Sequence, residues 1–140
     1  VTGREKRGAL GATVEVEKTS VACVVTHLSR HAGARLQQLK ALMDRLDCSA
    51  AGILAVLGDF KEWRRRGPSI RMLEGALGPT CRPVTYPAWL PLLPLDSIWV
   101  RPRHLMQDVR AIREGPARVA SDHLPVRARI RLSADPGDGS

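Results

Sequence analysis

The residue pattern predicts an α/β fold. Three observations carry this: two wholly apolar runs that read as buried strands, one amphipathic stretch of helical period, and strictly alternating segments near both ends of the 140 residues. A chain of this length forms at most one domain. At 44% hydrophobic and 26% charged, it has the composition of a globular protein rather than a disordered one.

Leu10, Ala12, Val14 and Val16 alternate with Gly11, Thr13, Glu15 and Glu17, the period of a half-exposed strand. Val21 to Val25 is continuously apolar, as expected of a strand covered on both faces. From His31 to Leu46, Leu36, Leu39, Leu42, Met43 and Leu46 fall at spacings of three and four, an amphipathic helix. Ile53 to Leu57 is a second apolar strand, closed by Gly58. Arg64 to Pro68 reads as loop, after which Ser69 can cap a short helix running to Leu77 and ending at Gly78-Pro79. Four prolines between Pro83 and Pro94 exclude a helix or a central strand there and predict an extended loop. Leu95 to Val100 and Asp108 to Arg113 are expected strands. A last strand places Val126, Ala128, Ile130 and Leu132 inward against Arg127, Arg129 and Arg131. Residues 1–7 are expected to be a tail, 8–132 the domain, and 133–140 a disordered tail. The apolar strands need cover on both faces, yet one substantial helix and one short one are available. Either further sequence brings a second sheet, or the chain pairs with a copy of itself.

The longest apolar stretch, Ala50 to Leu57, is too short to span a bilayer, and no signal peptide is read at the N-terminus. Cys23, Cys48 and Cys81 fit neither a disulfide framework nor a zinc site, so a reducing, cytoplasmic setting is expected, with Cys23 a small buried hydrophobe. The net charge of +8 suits a polyanionic partner such as nucleic acid. Against that, the arginines are spread from Arg4 to Arg131 and cluster tightly at Arg64-Arg65-Arg66 alone, which is also the pattern of a solvated surface.

Four segments place acids or imidazoles at the ends of expected strands, where α/β folds assemble sites. They are Thr26-His27-Leu28, Gly58-Asp59-Phe60-Lys61-Glu62-Trp63, Leu95-Asp96-Ser97-Ile98 and Ser121-Asp122-His123-Leu124-Pro125. Each has a plain structural reading. His27 can be a hydrogen-bonded framework histidine, Asp59 the head of an Asx-turn, Asp96 a polar strand-edge residue, and Asp122 a turn cap before Pro125. Trp99 is expected in the core. Trp63 and Trp89 are expected to pack under the proline-rich loop, with stacking on a substrate the other option.

Taken together, the segments resemble the endonuclease/exonuclease/phosphatase superfamily, which includes DNase I-like nucleases, abasic-site endonucleases, inositol-phosphate phosphatases and sphingomyelinases. The family pattern T-H-L, G-D-F-N, L-D-x-I, S-D-H-x-P-V stands here as Thr26-His27-Leu28, Gly58-Asp59-Phe60-Lys61, Leu95-Asp96-Ser97-Ile98 and Ser121-Asp122-His123-Leu124-Pro125-Val126. Thr85-Tyr86-Pro87 and Trp99-Val100-Arg101-Pro102 look like a bacterial branch, and the likeness runs from about Arg7 to Leu132. The resemblance implies the C-terminal half of a two-sheet α/β sandwich, with a mixed, largely antiparallel sheet and flanking helices. It implies a phosphoester hydrolase dependent on Mg²⁺ or Mn²⁺, with nucleic acid, phospholipid or a small phosphoester as substrate. His123 matches a phosphate-contacting histidine oriented by Asp96, Asp59 the residue that handles the attacking water, Asp122 a carboxylate near the metal, and His27 a second phosphate-facing histidine. Lys61 and Trp63 become candidate substrate contacts.

Two departures qualify this. The family's principal metal-ligand glutamate lies in an N-terminal half with no counterpart here, which leaves open a non-catalytic scaffold or interaction module. Lys61 stands where the family has asparagine, and an ammonium only donates where an amide also accepts. Three readings of Lys61 follow, in this order: it pairs with Asp59 and makes it a poorer base, it points outward from a remodelled loop, or it serves as a built-in cation for phosphate.

Overall fold

A computed structural model describes residues 7–46 and 52–132. Cys48 and both expected tails, apart from Arg7, lie outside these residues. The elements are β1 Ala9–Val16, β2 Thr19–His27, α1 Ala32–Leu46, β3 Ile53–Asp59, α2 Pro68–Leu77, β4 Asp96–Arg101, β5 Met106–Ala111, α3 Ala117–Ala120 and β6 Val126–Ile130. A four-stranded sheet runs in the order β1-β2-β3-β4, and β5 and β6 form a separate two-stranded sheet. Pairing is antiparallel except between β2 and β3, which are parallel and joined through α1. The α/β class and the mixed, largely antiparallel sheet with flanking helices are thus present.

The β1–β2 hairpin turns on Glu17 and Lys18, both with positive φ (47° and 67°), so that Val16 pairs with Thr19. Positive φ at both central residues is the arrangement of a type I′ turn, which ordinarily recruits Asn or Gly. β2 runs beyond its apolar run at both ends, from Thr19 to His27, while β1 covers nearly the alternating segment that marks it. α2 begins at Pro68 with Gly67 before it and has no side-chain cap. Ser69 is therefore not a cap; its buried hydroxyl accepts a hydrogen bond from Arg35 Nε at 3.1 Å. Pro68 at the first helical turn needs no cap for the N–H it lacks. Gly78, at φ 81°, ends the helix as expected and returns its N–H to Glu74.

Alternation along β2, β3 and β4 divides the interior in two. On one face, Leu54, Val56 and Trp99 pack with Leu39, Leu42, Met43 and Leu46 of α1 and Ile70, Leu73 and Leu77 of α2. Phe60 meets Trp99 edge-on, with ring centroids 6.5 Å apart. On the other face, Val21, Ile53, Ala55, Ile98 and Val100 pack with Leu105 and the inward residues Val126, Ala128 and Ile130 of β6. A second layer is therefore begun within this chain by β5 and β6, a refinement of the expectation that it would come from elsewhere. It stops short of β1, whose residues are all exposed: Leu10 is 73% accessible and its register partner Val25 45%.

β2 and β3 approach so closely at Thr26 and Gly58 that a Cβ on Gly58 would lie 1.8 Å from the Thr26 carbonyl oxygen. Gly58 also holds φ at 145°, a region that residues with side chains rarely adopt. Gly58→Ala is expected to cost about 3–5 kcal/mol or to prevent folding. In urea denaturation, a loss under about 1 kcal/mol would show that the backbone tolerates the added methyl there.

Candidate active site

Register brings the chemistry together. His27, Asp59 and Asp96 occupy one row across β2, β3 and β4, at the ends of all three strands. The row lies on the face of Ile53, Ala55 and Leu57, where alternation passes from apolar to ionisable. Backbone bonds continue past it, from Leu28 N to Asp59 O and from Phe60 N to Leu95 O, both 2.9 Å. The row is thus fixed rather than frayed.

His123 arrives from a different element. The segment before β6 docks on the proline-rich loop through Ala88 N to Asp122 O (2.7 Å) and Leu124 N to Thr85 O (2.9 Å). The loop itself is folded back by the Tyr86–Leu93 bridge. His123 Nδ1 then lies 2.7 Å from Asp96 Oδ2, and its Nε2 lies 3.8 Å from Asp59 Oδ2. Thr85 Oγ1 donates to the same Asp96 oxygen at 2.5 Å, and the Tyr86 ring stands 4.9 Å from the imidazole. An imidazole held at Nδ1 by a carboxylate presents Nε2 in one orientation.

Asp59 is the most crowded group. Its Oδ2 is 2.5 Å from Lys61 Nζ and 3.4 Å from His27 Nε2, while Oδ1 accepts from the Lys61 backbone N–H at 3.1 Å. The Asx-turn reading of Asp59 and its place in the site therefore hold together, with Lys61 at φ 54° inside the turn. Lys61 turns inward onto Asp59, so its outward-pointing reading is set aside.

Asp122 stands apart from this cluster: its carboxylate is exposed and meets Ser121 Oγ at 3.4 Å. Trp63 and Trp89 are exposed, at 56% and 70%, rather than packed under the loop, and Arg64 stacks over the Trp63 ring. Trp63 does share the lining of a surface cavity of about 630 Å³ with Val84, Leu92 and Pro94 of the proline-rich loop. Trp99 is in the core. Among the described residues, Asp59, Asp96 and His123 offer one ligand atom each within 4.8 Å of one another. Two carboxylates and an imidazole fit a divalent cation, although Lys61 already contributes positive charge at Asp59.

In the sequence Thr85 and Tyr86 stand out only within the Thr85-Tyr86-Pro87 tripeptide, not as individual contacts. Arg35 and Glu62, beneath the site, are not singled out there either. Arg35 shares the buried stripe of α1 with Leu39 and Leu42, and a charge in that stripe was the available signal. Glu62 had none. No helix among the described residues is long and apolar enough to cross a membrane.

No protein-family model matches the chain. Among curated proteins it is similar to the uncharacterized protein YbhP of Escherichia coli K12, 31% identical over 94% of this chain and 55% of the relative. Among solved structures it superposes on an endonuclease/exonuclease/phosphatase from Bacteroides vulgatus with a TM-score of 0.72, 19% identity, and coverage of 91% and 56%. Beta toxin from Staphylococcus aureus, in a double mutant with bound magnesium ions, gives a TM-score of 0.69 at 16% identity over 89% and 58%. The chain thus spans about half the length of the relatives it matches.

Removing the ammonium from Asp59 should open the cluster to an external cation. Lys61→Asn is expected to tighten Mn²⁺ binding by about tenfold, about 1.4 kcal/mol, in isothermal titration calorimetry. Unchanged affinity would show that Lys61 and the ion do not compete.

Proposed function

The chain has the scaffold of the endonuclease/exonuclease/phosphatase superfamily over about half of its relatives' span, and from that premise we propose that it carries the phosphate-handling side of a metal-dependent phosphoester hydrolase. One observation supports this above the others: His123, held by Asp96 at Nδ1, faces Asp59 across 3.8 Å with its other nitrogen.

In this reading His123 donates from Nε2 to a phosphoryl oxygen as charge grows there. Asp96 and Thr85 keep the ring in that orientation. Asp59 orients the attacking water and takes its proton, and His27 adds a second donor at the exposed edge. Mg²⁺ or Mn²⁺, held by the Asp59 and Asp96 carboxylates, would offset phosphoryl charge, and Asp122 would join it only if its segment moved toward the cluster. Lys61, already paired with Asp59, and the exposed Trp63 are the substrate contacts of this reading. The relatives are nearly twice as long, and the remaining residues of such a domain, or a second copy, would complete the site and cover Leu10 and Val25. Nucleic acid, phospholipid and small phosphoesters all fit this chemistry, and the +8 charge suits the polyanion best.

A second reading, a scaffold that binds without turnover, is favoured by the 2.5 Å Lys61–Asp59 pair, which occupies the proposed base.

The test is hydrolysis of an activated phosphodiester by the purified chain with Mn²⁺, with chelator, and as His123→Ala. The hydrolase reading expects turnover that chelator abolishes and that His123→Ala lowers by about a hundredfold or more. Turnover indifferent to both would sink it. Silence in the parent with activity gained by Lys61→Asn would establish the second reading.

A further inference from the structure

We propose that buried Arg35 and Glu62, with the partly buried Arg82, form a brace that sets the spacing of the three strand-end arms of the site, making them positioning residues for His27, Asp59 and Asp96. None of the comparisons assigns them a role. The inference concerns the site of the preceding section, and its kinetic arm rests on the hydrolase reading given there.

The brace can be followed bond by bond. Arg35, in the first turn of α1, is almost fully buried. Its Nη1 donates to the carbonyls of Ser29 (3.3 Å) and Arg30 (3.0 Å), in the segment that follows His27 and Leu28. Its Nη2 donates to Glu62 Oε2 at 3.1 Å, and its Nε to Ser69 Oγ at the start of α2. One guanidinium therefore ties the arm after β2 to the arm after β3. Its planar fork suits it to hold several acceptors at once.

Glu62 is the hub. It is 1% exposed and lies three residues beyond Asp59. Oε1 accepts from both the backbone N–H and Nε of Arg64 at 3.3 Å. The loop has also made room for it: a Cβ on Gly67 would lie 2.3 Å from Glu62 Cδ. Gly67 is at φ −61°, so it is space rather than backbone conformation that a side chain would violate there.

Arg82 completes the link from the opposite side. Its Nη2 donates to the Glu62 carbonyl oxygen and, at 2.7 Å, to that of Pro94; its Nε reaches Ser97 Oγ at 3.3 Å. Pro94 and Ser97 flank Asp96, the third member of the row. Burial lowers the Arg82 pKa, Glu62 and Glu74 oppose the shift, and Arg65 adds to it. The path from Ser29 to Pro94 thus passes through two guanidiniums and Glu62, under the arms that end in His27, Asp59 and Asp96.

The test compares Arg35→Lys, Glu62→Gln and Gly67→Ala in the full chain. Imidazole resonances of His27 and His123 report the site, and the indole N–H of Trp99 reports the core. Arg35→Lys keeps the charge and loses the fork. Gly67→Ala keeps every charged group and only displaces Glu62, so it decides the matter even where Arg35→Lys does not fold. The expected result is displaced His27 resonances with the Trp99 signal in place. Where the parent hydrolyses a phosphodiester, kcat should fall about a hundredfold with KM held within about twofold. His27 and His123 resonances that coincide with the parent's in the folded variants would overturn the brace. A parent without hydrolysis counts against the hydrolase reading alone, because the imidazole resonances decide the brace without turnover.

Discussion

Nearly everything at this site follows from the pairing of β3 with both of its neighbours in one register. Because His27 pairs with Asp59 and Asp59 with Asp96, three residues far apart in sequence share a row. Because side chains alternate, the row faces the same side as Ile53, Ala55 and Leu57. A slip of one residue in either ladder would turn an acid or imidazole toward α1 and α2 instead. Gly58, against the Thr26 carbonyl, lets the parallel ladder close one residue before the row. The bonds from Leu28 to Asp59 and from Phe60 to Leu95 keep it closed one residue after. The clustering of these groups is a consequence of strand register, with loops adding His123 and Lys61.

Two kinds of charge pairing sit within a few residues of each other and have different consequences. Glu62 and Arg35 are both buried and share Ser69, Arg64 and backbone carbonyls as further partners. Breaking one side of such a pair typically costs about 3–5 kcal/mol, because the other charge is left without compensation. The pair therefore has one state. Asp59 is partly exposed and has three nitrogen-bearing side chains around a single oxygen. Exchange of Lys61 for an incoming cation or for substrate would leave no buried charge behind, since the ammonium can return to water. The rigid pair supports the exchangeable one.

Much of the core could be read directly. Leu39, Leu42, Met43 and Leu46 at helical spacing, and the two apolar runs, correspond to α1, β2 and β3 because burial on one or both faces leaves a plain periodic mark. What left no such mark was set by tertiary contact. The type I′ turn at Glu17-Lys18 uses residues that do not advertise positive φ, so β1 stops at Val16 and β2 starts at Thr19, before its apolar run. β5 begins at Met106, two residues before its expected start, because Met106 packs under the second cluster. Ser69 looks like a cap in sequence and is instead an acceptor for Arg35, a partner 34 residues away. Strand-end placement groups the segments of His27, Asp59, Asp96 and His123 and the family resemblance gives them roles, but spacing along a chain carries no information about register between distant strands.

The incomplete cover of the sheet and the accessibility of the site have one physical origin. β5 and β6 cover the face over β3 and β4, where Ile98 and Val100 are buried and the Asp96 and His123 side chains are each 20% accessible. Over β1 and β2 the same face is bare at Leu10 and Val25. His27 belongs to that uncovered half, two residues along the strand from Val25 on the same face, and its side chain is 50% accessible. Whatever buries Leu10 and Val25 must therefore approach His27 as well. The apolar area that would drive an association at this face adjoins the His27 imidazole, so any surface that buried Leu10 and Val25 would also change the surroundings of His27.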